Sequence, residues 1–171
     1  MKINKNLIAL IITAVGALLL GVQLQAEQAY MFFYRESQQL LFLDWSYISE
    51  VLLQFGGVGI FVSQFLVQFF IHPVVGAATT AVIVGVSVWM LWLTMRKIND
   101  NVALLPLLFV PSLFVVMYIA TSYHHYTGLV AIMFMAIALW GYSLCREQSY
   151  KVRVGIGAAI TLVLYLLVGS I

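Results

Sequence analysis

Residues 73–97 read PVVGAATTAVIVGVSVWMLWLTMRK: an uncharged apolar run closed by two cations. A hydrocarbon core about 30 Å thick takes roughly 20 apolar residues in a helix, so 73–95 is long enough to cross a membrane. Arg96 and Lys97 mark the end that the positive-inside rule keeps in the cytoplasm. Pro73 suits a first helical turn, where its missing N–H costs nothing.

Four further runs of the same kind flank it: 6–24, 102–120, 128–145 and 154–171. The chain is 64% hydrophobic and 8% charged, far from the ~25% charged residues of a soluble domain. The expected architecture is all-α, a polytopic membrane helix bundle with five transmembrane helices in a single domain over 1–171. No soluble domain is left over.

The charges agree with that layout. Of the eight Lys and Arg, Lys2, Lys5, Arg96, Lys97, Arg146, Lys151 and Arg153 fall in alternate polar breaks, and only Arg35 falls on the other side. Four acids (Glu27, Glu36, Asp44 and Glu50) and all three histidines (His72, His124 and His125) share that other side. The N-terminus is thus expected in the cytoplasm and the C-terminus outside. A cationic start and apolar run also fit a secretory signal, but Val22-Gln-Leu-Gln-Ala26 is a poor small-x-small cleavage site, which favours an uncleaved anchor. The net charge of +2 comes with no basic stripe, so nucleic acid is not an expected partner. Cys145 is alone and forms neither an internal disulfide nor a metal site.

The segment 27–71, 45 residues (71 − 27 + 1), is too long for a turn and too apolar for a solvated loop. It is expected to lie on the membrane as interfacial helices. Asp44 stands at an N-cap position before a short helix from Trp45, Gly56, Gly57 and Gly59 break it, and 60–71 resumes a helical run. Asn99, Asp100 and Asn101 offer caps for the third span, which Pro106 and Pro111 should bend. Tyr118, Tyr123 and Tyr126 fit an outer aromatic belt, and Trp89, Trp92, Trp140 and Tyr142 an inner one. Ala17/Gly21, Gly76/Thr80, Ala77/Ala81 and Gly155/Ala159 have the small-xxx-small spacing that permits close helix contact.

No span carries an ionisable residue in its interior, which disfavours coupled transport. The reactive side chains gather at the outer interface: Glu27, Arg35, Glu36, Asp44 and Glu50 in the long segment, His124 and His125 in the short loop. Adjacent histidines on a helix point about 100° apart and do not chelate one metal together. No metal or cofactor is expected. A carboxylate acting with the short loop requires that Glu27, Glu36 or Asp44 come near His124 and His125.

The runs 34–57, YRESQQLLFLDWSYISEVLLQFGG, and 63–70, SQFLVQFF, resemble the N-terminal part of a family of uncharacterised polytopic bacterial membrane proteins. The resemblance implies an inner (plasma) membrane location and a chain that is a piece of a longer one. More loosely, the layout is similar to the amino-terminal part of GT-C glycosyltransferases, which act on lipid-linked sugars at the outer membrane face. Glu27-Gln-Ala-Tyr30 resembles an acid-x-x-Tyr run that some of them carry, although their paired-acid motif is absent. That resemblance implies Glu27, Asp44 or Glu36 as catalytic acids, with Arg35, His124 and His125 binding a polyprenyl-phosphate sugar. The other expectation is a non-enzymatic membrane scaffold or subunit, contacting lipid and docking a protein partner at its outer face.

Overall fold

The computed structural model describes residues 5–98, 109–120 and 125–169, and among these it is helical with no strand. Seven α-helices follow in order: α1 (Lys5–Gln38), α2 (Trp45–Leu53), α3 (Gly57–Val67), α4 (Pro73–Ile98), α5 (Phe109–Ala120), α6 (Tyr126–Ser143) and α7 (Tyr150–Val168). A 3₁₀ turn, Gln68–Ile71, joins α3 to α4. Four of them, α1, α4, α6 and α7, are long and apolar enough to cross a membrane. The fifth expected span, 102–120, lies partly outside the described residues, and its described part is α5. Pro106, His124 and the capping triplet at 99–101 also lie outside them.

The helix of the first expected span, 6–24, does not end with that span. Helix α1 continues to Gln38, with one kink where Gln28 leaves helical geometry (φ −124°, ψ 18°). Ala26-Glu-Gln-Ala29 and Met31 are good helix formers, and neither Pro nor Gly interrupts 22–38, so the polar residues end the apolar run without ending the helix. A 33-residue candidate span rises roughly 50 Å, well beyond a ~30 Å hydrocarbon core.

Helix α4 packs against α1 on one side and α6 on the other, and α7 packs on α6 and α3. The α1–α4 pair is antiparallel in an even register. Asn6 accepts from the Arg96 guanidinium, and a side chain at Gly85 or Gly21 would press on Ala17 or Ala81, at 3.1 and 3.3 Å. The small-residue pairs Ala17/Gly21 and Ala77/Ala81 thus meet each other, as close packing in lipid favours. Gly155, by contrast, has open space around it.

Helix α3 lies across one end of this bundle, which we call the cap end. At its start, the Gly56 N–H donates to Leu166 O in the last turn of α7 at 3.0 Å. Ser63 meets Thr127 in the first turn of α6, Oγ to Oγ1 at 2.9 Å. Just past α3, the Phe70 ring stands edge-on to Phe32 of α1 and Tyr126 of α6, at centroid distances of 5.1 and 4.9 Å. The break between α2 and α3 runs from Gln54, in extended backbone, to Gly56, left-handed at φ +79°. Gly57 and Gly59, expected to break the helix, instead lie buried inside α3, where the missing side chains let it approach α2 and α7. At the other end of the bundle, Arg146 donates to Lys97 O and Arg96 to Asn6, so the basic breaks do share one end.

Two aromatic residues expected in belts are core residues. Trp92 is buried beside Ala9, and Tyr126 is fully buried among Phe32, Phe70 and Leu129. In a helix apolar all round, the sequence has no polar face to tell the lipid side from the core side.

Candidate functional site

Arg35 decides the chemistry of the cap end. It sits in the last turn of α1 yet is only 5% exposed. Its Nη2 donates to Ile119 O at 3.0 Å, and its guanidinium carbon lies 5.8 Å from the centre of the Phe32 ring. Ile119 is the penultimate residue of α5, so its carbonyl belongs to the last turn, whose acceptors have no partner within the helix. A cation there also meets the negative end of the helix dipole. The contact therefore closes the end of α5 onto α1.

Around this point the helix ends converge. His125 is the N-cap of α6. The Tyr118 hydroxyl of α5 donates to the His125 carbonyl at 2.9 Å. Gln39, just past the end of α1, places its Nε2 at 3.2 Å from His125 Nδ1. Deeper in, the Tyr126 and Thr80 hydroxyls are 3.3 Å apart. Two further side chains tie the cap to the segment before it, Gln64 to the Tyr47 hydroxyl at 2.9 Å and Gln68 to Leu41 O at 3.0 Å.

The acids lie apart from this cluster. Glu27 is exposed on α1 and accepts a 3.4 Å hydrogen bond from Gln23, one turn back on the same helix. Asp44 is exposed at the N-cap of α2; its carboxylate takes the Ser46 hydroxyl and makes no side-chain bond to the helix backbone. Glu36 is half-buried and Glu50 exposed. Among the described residues, none of these carboxylates has a hydrogen bond or ion pair to His125. His72 is exposed and stands just before α4, where its carbonyl accepts from the N–H of Val75 in the first turn at 2.8 Å. No three His, Cys, Asp or Glu side chains among the described residues are placed to hold a metal.

Of the candidate residues, Arg35 and His125 thus have their partners at the same helix ends, while Glu27 and Asp44 are exposed and bond to Gln23 and Ser46. Sequence reasoning missed Gln39, Tyr118, Tyr126 and Thr80 as parts of the cluster. Tyr118 and Tyr126 stood out only as belt aromatics, and nothing in the sequence distinguishes Gln39 from its neighbour Gln38.

A family model matches residues 3–171 of the chain. No curated protein and no solved structure matches it. The chain belongs to a family of unknown function, DUF6057.

Proposed function

We propose that this member of the DUF6057 family is a non-catalytic membrane scaffold. It would sit in a bacterial inner membrane with its N-terminus in the cytoplasm and its cap at the outer surface. The observation that carries the reading is how Arg35 is used: its guanidinium is buried against Phe32 and the end of α5, while Glu27 and Asp44 are solvent-facing and bond within their own segments. Groups that share one substrate must be held together, and the partners of Glu27, Asp44 and Arg35 tie each to a different neighbour, which supports a structural use of these residues.

The cap supports the rest of the proposal. Helix α2 and its flanks expose Phe42, Leu43, Trp45, Leu53 and Phe55, with Leu53 87% and Trp45 78% exposed. Such a surface suits a bed of lipid headgroups and upper acyl chains, leaving Asp44 and Glu50 as a rim available to a basic partner at the outer face.

The finer alternative, a GT-C-like transferase on a polyprenyl-phosphate sugar, is tested directly. Membranes containing the chain are incubated with a labelled polyprenyl-phosphate sugar, and sugar release is followed. The scaffold reading expects no release above empty membranes. Release that disappears in E27Q or D44N would overturn it in favour of the transferase.

A further inference from the structure

Beside the line where α1 and α4 touch through small residues runs an open apolar groove of about 610 Å³. Its floor includes Ala17, Gly21 and Ala81, and its rims include Leu18, Val22 and Val82. Along α1 it extends from Ala14 to Ala26, twelve residue steps or roughly 18 Å of helix rise. One leaflet of a bilayer has about 15 Å of hydrocarbon, half of the ~30 Å core. The groove is therefore about one leaflet long, and it opens towards the cap end. A partner helix crossing the membrane would lie along the whole span, whereas an acyl chain occupies only its own leaflet.

One polar side chain stands at the cap-side end of the groove. Gln25 lines it, and its Oε1 is buried with no hydrogen-bond partner. One turn on, at the kink in α1, the Oε1 of Gln28 is likewise buried without a partner. Buried acceptors left unmatched are costly, and structures normally satisfy them. Residue 25 directly follows the apolar run 6–24, at the depth where lipid glycerol and headgroup atoms lie. What is missing at that depth is a donor.

We infer that the α1–α4 groove holds one acyl chain of a glycerophospholipid from the cap-side leaflet, with an ammonium-bearing ethanolamine head donating to Gln25. The exposed carboxylate of Glu27, two residues beyond Gln25 on α1, fits the same head better than an anionic one, since the nearest cation in sequence, Arg35, is buried against the end of α5.

The test uses the full chain, reconstituted into nanodiscs of equal phosphatidylethanolamine and phosphatidylglycerol and released for native mass spectrometry. The wild type is expected to retain one phosphatidylethanolamine. A78F and A14F, at exposed groove positions away from the buried α1–α4 contact, should fill the groove and lose the adduct while keeping helical content and a monodisperse elution profile. Q25L should keep a lipid but lose its preference for the ethanolamine head by roughly fivefold, the worth of about one net hydrogen bond. The inference is overturned if the wild type retains no lipid, or if A78F and A14F retain it unchanged. A disulfide-linked dimer of A78C in a C145S background would also overturn it, by putting a second copy of the chain in the groove.

Discussion

At the scale of single residues, the end of α5 depends on one guanidinium. R35Q loses a charge-assisted donor to Ile119 O and leaves that carbonyl in a dry site, which should cost about 2 kcal/mol. E36Q, next along the same helix and half-buried, should stay within about 0.5 kcal/mol of wild type. Reversible unfolding in mixed micelles measures both, and equal effects would refute the capping role. Arg35 was conspicuous in the sequence as the lone cation on its side, but its partner was not legible. That partner is a backbone carbonyl 84 residues away, and no side-chain pattern encodes it. The same holds for Gly56, which carries a left-handed backbone and lies where an added Cβ would come within 2.6 Å of Val168 O. G56A should therefore lower stability by about 2 kcal/mol. G16A, in open space in the middle of α1, should raise it by about 0.5–1 kcal/mol. A melting series of the two variants against wild type checks the opposite signs.

At the scale of elements, α4, α6 and α7 keep within a few residues of the runs seen in the sequence, because unbroken apolar length is the signal that defines a membrane helix. Helix α1 does not, because hydropathy marks where a span leaves lipid and says nothing about where the helix ends. The difference is measurable at Phe33, which is 50% exposed near the end of α1. Proline in a helix interior removes a hydrogen bond and clashes with the preceding turn, so F33P should cost about 3 kcal/mol. If 27–38 were an irregular interfacial loop, the change would be nearly neutral. The short cap helices were legible from Asp44 and Gly56, whereas the burial of Gly57 and Gly59 was not, since it follows from how close α2 and α7 come.

At the scale of the whole molecule, the two ends differ. The described basic breaks meet at one end, through Asn6 with Arg96 and Lys97 with Arg146, and the cap closes the other. Under the positive-inside rule, a reporter fused after Gln39 should be periplasmic and one after Ile98 cytoplasmic; the reverse pattern would reject the proposed orientation. The cap also ties together parts of the chain that are made at very different times. The Gly56 N–H finds its acceptor on Leu166, 110 residues later. At roughly 5–20 residues per second, translation delivers that acceptor on the order of 6–22 s after Gly56 itself. Until then α2 and α3 have no α7 to rest on, and closing so long a loop is slow and unfavourable in entropy before the contact repays it. The lid of this bundle is thus set by α7, made long after the cap helices that rest on it, which makes a nascent chain with an open, aromatic-rich cap an obligatory stage of its biogenesis and the stage most in need of an insertase or chaperone.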